Sequence, residues 1–393
     1  MTEGSPVEGT VVVSRKGETR VQRGHPWVFR SDVTRDRGVA PGSLVRLEGP
    51  QGRPLGFAFY SSRSEIRLRV VERGESLAEG FLRERLAAAL RWRETVAAGA
   101  SAYRVVHGEG DGLPALVVDR YGDYLVVQTL SQGMDRRKGE IVDALRELLQ
   151  PKGVLERNDP KVRQLEGLEP QVGLLHGTVP PTVEVEENGV FYLADLYHGQ
   201  KTGLFLDQRE NHAAARTYAR GRVLDGFTYQ GGFALQVASV ASEVLAADVS
   251  TEATLRLKAN AERNRLTNVI VRDANVFDLL HDLDHRGERF DTVILDPPAF
   301  AKSKDAVEKA RRGYKEINLR ALRLLRPGGC LVTCSCSYHV HEEDFEAILA
   351  SAAVDARATV TVVEKRRQAR DHPVVLGVPE TYYLKCFILR KLE

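Results

Sequence analysis

Apolar and polar positions alternate in short runs at the start of the chain: TVVVSRKG, RVQRG, SLVRLEG, PLGFAFYS and EIRLRVVE, with Gly, Pro and Ser between them. Runs of that length bounded by turn residues predict strands, and five in succession predict a small β-barrel. The period then changes. SLAEGFLRERLAAALRWRETVA (76–97) places apolar residues three and four apart, which predicts a connecting helix. A strand-turn-strand pattern returns in YRVVHGEGDGLPALVVDRYGDYLVVQTLS, followed by the helical KGEIVDALRELL and further strands ending at VEVEENGVFYL. From about residue 191 strand and helix alternate. The strands are VLDGF (223–227), VLAADVS (244–250), NVIVRD (268–273), FDTVILDPP (290–298) and GGCLVTCSCS (328–337). Helical runs lie between them at GGFALQVASVA, STEATLRLKANAERN, NVFDLLHDL and AVEKARRGYKEINLRALRLL. This βαβ order predicts an α/β fold with a mostly parallel, doubly wound sheet and ligand sites at the carboxyl ends of its strands.

The pattern divides the chain into a β-rich module (1–74), a connecting helix with a central α+β module (75–190), and a Rossmann-like domain (191–393). Composition adds little to this picture. With 393 residues, 42% hydrophobic and 28% charged, the chain has the make-up of a soluble globular protein of two or three domains. MTEGSPVEGTVVV has no basic stretch followed by an apolar one, and no later run is long enough to cross a bilayer, so a cytoplasmic protein is expected. A net charge of +2 neither demands nor excludes nucleic acid, so any basic footprint must be local.

Chemistry concentrates at the strand ends. Asp225 closes the first strand of the alternating region, and Gly226, Gly231 and Gly232 follow in a loop that opens a helix. Glycines let backbone approach a ligand closely. This loop is neither the G-x-G-x-x-G dinucleotide fingerprint nor a P-loop, which disfavours a triphosphate. Asp248 ends the second strand, where a carboxylate can accept hydrogen bonds from ribose hydroxyls, and Asp273 ends the third. Acids after consecutive strands without phosphate-binding residues fit a nucleoside-bearing ligand that lacks a diphosphate, and S-adenosylmethionine is such a ligand. Each acid taken alone also suits a helix N-cap.

LVTCSCS (331–337) sets Cys334 and Cys336 two positions apart in a chain with only four cysteines. Two apart on a strand means one face. The spacing is too short for a zinc clamp and no ligand pair follows, so no metal is expected. The plain alternative is a pair of small buried strand residues.

Together LDGFTYQGGF, LDPPAF, LVTCSCS and KTGLFLDQREN (201–211) resemble the bacterial large-subunit ribosomal RNA cytosine-C5 methyltransferases that carry an N-terminal PUA domain. The resemblance covers nearly the whole chain: RGHPWVFRSDV (23–33) is similar to the opening of that domain, and GEGDGLPALVVDRYGDYLVVQ (108–128) to the central module. It implies that Asp225, Gly226, Phe227, Gly231 and Gly232 line the methionine end of the cofactor, that Asp248 holds the ribose and Asp273 the adenine edge, and that Phe205, Asp207 and Gln208 close over it. It also implies that Asp296 and Pro297 face the target base and that Cys336, registered from Gly328 and Gly329, is the nucleophile. Ala299 stands where related cytosine enzymes often carry a second cysteine, which leaves the group that removes the C5 proton unassigned. Cys334 is open between packing, a redox-sensitive thiol and a proton-transfer partner. Cys330 and Cys386, in apolar strand surroundings, are expected in the core.

Such chemistry wants a thiolate: a soft nucleophile adding at C6 turns C5 into an enamine carbon able to attack a methyl group. RNA would need phosphate contacts and access to an unstacked base. Candidate contacts are Arg23, His25 and Trp27, within the cluster of Arg15, Lys16, Arg20 and Arg30, then Lys302, Lys304, Lys309, Arg311 and Arg312 after LDPPAF, and Arg157, Lys161 and Arg163. Charge runs are also ordinary solvated faces. Ribosomal RNA is the expected partner, with no membrane, and the oligomeric state is open, a homodimer included. Two other readings remain: a guanine N2 or N7 ribosomal RNA methyltransferase of the same fold, and an RNA-binding assembly factor without turnover.

Overall fold

Residues 7–301 and 303–393 are described in the computed structural model of the chain, and they group into two units. The first comprises the chain up to Val185 with Ala194–Leu204 and Arg370–Thr381; the second comprises Glu186–Leu193, Phe205–Ala369 and Tyr382–Glu393. Residues 370–381 lie far along the chain from the rest of the first unit and are held to it by the central module: Arg93 donates to the Asp371 carbonyl at 2.7 Å, and the Arg104 backbone N–H to Asp371 Oδ2 at 2.9 Å.

The first unit opens with strands β1 (Thr10–Val13), β2 (Trp27–Phe29), β3 (Val33–Arg35), β4 (Leu44–Glu48), β5 (Pro54–Tyr60) and β6 (Ile66–Arg73), in the order β2-β6-β5-β4-β1-β3. One expectation fails here. RVQRG, read as a strand, belongs to a helix at Arg15–Gln22. Ser14 is extended and its hydroxyl accepts the Gly17 N–H at 3.3 Å, an N-cap that starts the helix, and Gly17 and Val21, four apart, form its buried face. The connecting helix runs Phe81–Val96, and a second sheet follows from β7 (Ala102–His107), β8 (Leu116–Tyr121), β9 (Tyr124–Thr129), β10 (Gly153–Asn158) and β11 (Gln171–Gly177). One apolar core joins these parts: Leu44, Phe57 and Phe59 of the first sheet pack with Leu82 and Leu86 of the helix and with Val105 and Val127 of the second sheet. A two-stranded ladder of β12 (Thr182–Glu187) and β13 (Val190–Asp195) comes next.

The second unit is built on β14 (Gly221–Gly226), β15 (Ala241–Asp248), β16 (Val269–Asp273), β17 (Phe290–Leu295), β18 (Leu325–Ser335), β19 (Val360–Arg367) and β20 (Lys385–Lys391). Their order is β16-β15-β14-β17-β18-β20-β19, parallel from β16 to β18, with β20 antiparallel to β18. The chain starts at β14, builds outward through β15 and β16, then returns to β17 on the other side. That reversal is the switch point where such sheets bind ligands, at the carboxyl ends of their strands. Apolar clusters cover both faces, one around Val293, Tyr314, Phe345 and Phe387, the other around Val223, Phe233, Val332 and Ile388. The doubly wound α/β expectation is met.

Candidate active site

Asp225 lies at the end of β14, flanked by β15 and β17, and is fully buried. The Thr228 hydroxyl donates to its Oδ2 at 2.6 Å, whereas Oδ1 is buried without a hydrogen-bond partner among the described residues. Burial pushes this carboxyl up to about 7, and the neighbouring charge of Asp296 adds to the effect against the Thr228 hydroxyl, the Ala234 N–H and His212. A buried acceptor left open in this way is set up for a donor from a ligand.

The following loop is strained. Phe227 (φ 65°) and Tyr229 (φ 50°) both occupy the left-handed region, which residues with side chains rarely adopt. Hydrogen bonds hold the turn: Thr228 N–H donates to the Ala247 carbonyl at 3.0 Å and Tyr229 N–H to Asp248 Oδ2 at 2.9 Å. Asp248 therefore does two jobs at once. Its Oδ1 accepts the Ser250 N–H at 2.9 Å, and each oxygen retains a lone pair for a ribose hydroxyl. Asp273, paired with Asp248 in register across β15 and β16, is exposed and accepts from the Thr254 hydroxyl. The glycines act through packing. A Cβ on Gly231 would come within 2.9 Å of Leu235 Cγ, on Gly232 within 2.7 Å of the His212 ring, and on Gly226 within 2.8 Å of Val276 Cγ1, so they bring helix and strand together beneath the loop.

Phe205 meets the Tyr229 ring edge-on at 5.1 Å. Asp207 and Gln208 are buried in a short 3-10 turn: Asp207 Oδ2 accepts the Tyr383 hydroxyl at 2.7 Å, and Gln208 Oε1 accepts from Asn211 at 2.6 Å. A further pair escaped the sequence reading. His212 Nδ1 lies 2.6 Å from Glu187 Oε1, both buried. Burial works to lower the imidazole pKa, but the charge and hydrogen bond of Glu187 together with the charges of Asp296 and Asp225 hold the ring above its ordinary value. The only signal in the sequence was a histidine directly after KTGLFLDQREN.

Strands β17 and β18 run side by side, pairing Leu295 with Thr333, so LDPP and TCSCS leave the sheet together. Cys336 Sγ lies 3.9 Å from the Pro297 carbonyl oxygen, and Asp296 is half-buried beside them. Cys336 is half-buried while the other three cysteines are buried. Cys334 is 0% exposed, sits opposite Cys386 in the β18–β20 ladder, and burial together with Cys386 holds its thiol far above the ordinary range. It is a core residue.

Among the basic candidates, Arg23 and Arg312 are exposed and Arg311 is ion-paired with Asp344 at 2.7 Å. The polar ends of His25 and Trp27 are engaged, His25 Nε2 lying 3.4 Å from Glu380 and Trp27 donating to Glu109 at 2.9 Å. Lys302 and the side chain of Lys304 lie outside the described residues. Arg157 and Arg163, expected on a basic surface, are buried instead. Arg157 donates to the carbonyls of Leu196 (2.5 Å) and Gly199 (3.0 Å), and Arg163 to Asp135 and to the Glu169 carbonyl. Among the described residues no His, Cys, Asp and Glu group could hold a metal ion, and no helix is long and apolar enough to cross a membrane.

The profile of a PUA-like domain matches residues 11–73, and that of S-adenosylmethionine-dependent methyltransferases matches residues 168–388. Ribosomal RNA large subunit methyltransferase I of Shigella boydii serotype 18 is 41% identical over 97% of this chain and 98% of its own length, and the protein of the same name from Escherichia coli O139:H28 is 40% identical over the same shares. A solved structure from Streptococcus mutans, described as a SAM-dependent methyltransferase, superposes with a TM-score of 0.82 at 21% identity, covering 97% of this chain and 99% of that one. Another, described as a methyltransferase complexed with SAH, gives 0.83 at 22% over the same shares. At that identity the structures speak for the fold.

Proposed function

Because the chain belongs to the S-adenosylmethionine-dependent methyltransferases, and within them to the ribosomal RNA large subunit methyltransferase I family, we propose that it methylates carbon 5 of a cytosine in large-subunit ribosomal RNA through a covalent adduct with Cys336. S-adenosylmethionine is its cofactor, and when bound it supplies an electrophilic methyl group. The residues fit it. The open Oδ1 of Asp225 suits the amino group of the methionine end, and Asp248 and Asp273 the ribose and adenine. Phe205, Asp207 and Gln208 complete that side of the site.

The observation that carries the cytosine reading is the thiol of Cys336 against the Pro297 carbonyl at 3.9 Å, beside Asp296. In this reading Cys336, as thiolate, forms a bond to C6 of the cytosine, and the ring's C5–C6 electron pair becomes available for methylation at C5. Asp296, as the carboxylic acid, donates its proton to N3 while its carbonyl oxygen accepts from the exocyclic amine, which offsets the negative charge that develops at N3. Transfer of the C5 proton to a solvent base then returns the electron pair to C5–C6 and expels the thiolate. A guanine N2 or N7 enzyme would have no use for a half-buried thiol at this place. Residues 1–74 are read as the RNA-binding PUA-like module, the segment after LDPPAF as the approach for phosphates, and the cytoplasm as the site of action.

Methylating a large-subunit RNA transcript in vitro and mapping the product by mass spectrometry tests the reading. It expects 5-methylcytidine at one position, and a methylguanosine in its place would refute it.

A further inference from the structure

Lys385 is the first residue of β20 and is 2% exposed, unusual for a charged side chain. Its backbone pairs with Ser335 of β18, and its ammonium donates to the Ser337 carbonyl at 2.7 Å and the Tyr383 carbonyl at 2.9 Å. Cys336 lies between Ser335 and Ser337. The lysine therefore grips the backbone on both sides of the one thiol that reaches the surface. An ammonium has three N–H groups, and two are committed to carbonyls.

We propose that Lys385 is a positioning residue whose buried positive charge holds Cys336 as the thiolate and fixes the turn that presents it. The inference rests on Cys336 being the nucleophile for its catalytic consequence, but the coupling of the two groups can be measured without any RNA. Two buried carbonyls alone would be served as well by a neutral donor. Burying a full charge costs far more, and is offset when an anion stands nearby.

Charged and titratable groups surround the lysine from each packed element. Cys336, one residue past β18, adjoins the Ser337 carbonyl that the ammonium holds. Glu342 and Asp344 come from the helix Glu342–Ala356, and Arg367 is paired with it from β19. The Tyr382 hydroxyl donates to Glu342, and the Tyr383 hydroxyl to Asp207. Burial draws the Lys385 ammonium down to about 8, opposed first by Cys336 and then by Glu342 and Asp344. Glu342 and Asp344 line a cleft of about 350 Å³ with Tyr338, His341, Glu343, Tyr382 and Lys385, where solvent screens their charges. The thiol is the strongest of the opposing groups and the one with a chemical use for the charge.

The test is the pH dependence of Cys336 alkylation by iodoacetamide, read by peptide mass spectrometry on the full chain. In Lys385→Met the midpoint should rise by about one pH unit, a tenfold loss of thiolate at neutral pH, and Lys385→Arg should restore most of it. Binding of S-adenosylhomocysteine serves as the check on folding. An unchanged midpoint in folded Lys385→Met overturns the proposal. Should that variant fail to fold, NMR of isotope-labelled lysine in the parent and in Cys336→Ser gives the reciprocal reading. Removing the thiol should lower the Lys385 midpoint, and no shift would overturn the proposal. Neither readout depends on which base is methylated, so a failed cytosine reading and a failed coupling are told apart.

Discussion

Asp225 is the residue whose environment makes the most specific demand. Its folded-state pKa of about 7 lies above the roughly 3.9 of an unfolded aspartate, so protonation favours the folded form. The contribution is fully present below pH ~4 and is lost as pH rises towards 7. Without cofactor, the melting temperature should therefore fall between pH 5 and 7.5, and Asp225→Asn should flatten that slope in a pH series of thermal scans. An amino group donated by the cofactor prefers the ionised carboxylate, so S-adenosylhomocysteine affinity should rise with pH up to about 7 in the parent and lose that dependence in the variant. Asp248→Ala removes both the ribose acceptor and the support of Tyr229 N–H, and calorimetry should show a loss of ~1 to 3 kcal/mol in cofactor affinity. The acids were legible in the sequence because each closes an apolar strand. The His212–Glu187 pair and Lys385 were not, because their partners come from distant parts of the chain and no spacing records them.

At the scale of elements, the loop from Phe227 to Gly231 is where backbone strain and ligand chemistry meet. Gly231 has φ 89° and its missing Cβ leaves room for Leu235 and Leu257, so Gly231→Ala combines a disfavoured conformation with a clash. It should lower stability by about 1 to 3 kcal/mol and weaken cofactor binding, measurable by denaturant titration and calorimetry. Strands with continuous apolar runs, β14, β15, β17 and β18, were readable from the sequence because both of their faces are covered. β19 was not: it is an edge strand with most positions exposed and mixed charge in VTVVEKRR. The helix Arg15–Gln22 was misread because its basic residues hide a pattern carried by only Gly17 and Val21, and its start depends on the Ser14 cap.

Across the whole molecule, packing decides which charges are surface. Arg157 and Arg163 look from the sequence like RNA contacts, yet both are caged by carbonyls and carboxylates, which no charge count reveals. The N-terminal module is likewise no simple appendage. Leu44, Phe57 and Phe59 share a core with the helix Phe81–Val96, so deleting residues 1–74 would uncover apolar surface worth about 1.5–3 kcal/mol for each large side chain. Such a deletion should unfold the first unit, seen as loss of its thermal transition, rather than only weaken RNA binding. The exposed Arg23 and Arg312 are better probes: reversing either charge should weaken RNA binding and flatten its salt dependence while leaving cofactor affinity unchanged.

The central claim is that Cys336 bonds to a cytosine. RNA substituted with 5-fluorocytidine tests it, because fluorine at C5 cannot leave as a proton and the adduct cannot resolve. With S-adenosylmethionine present, the parent protein and Cys334→Ala should both give a denaturation-resistant RNA adduct, mapped by mass spectrometry to Cys336, and Cys336→Ala should give none. An adduct on Cys334, or the absence of any adduct from an enzyme that still methylates unsubstituted RNA, would contradict the account.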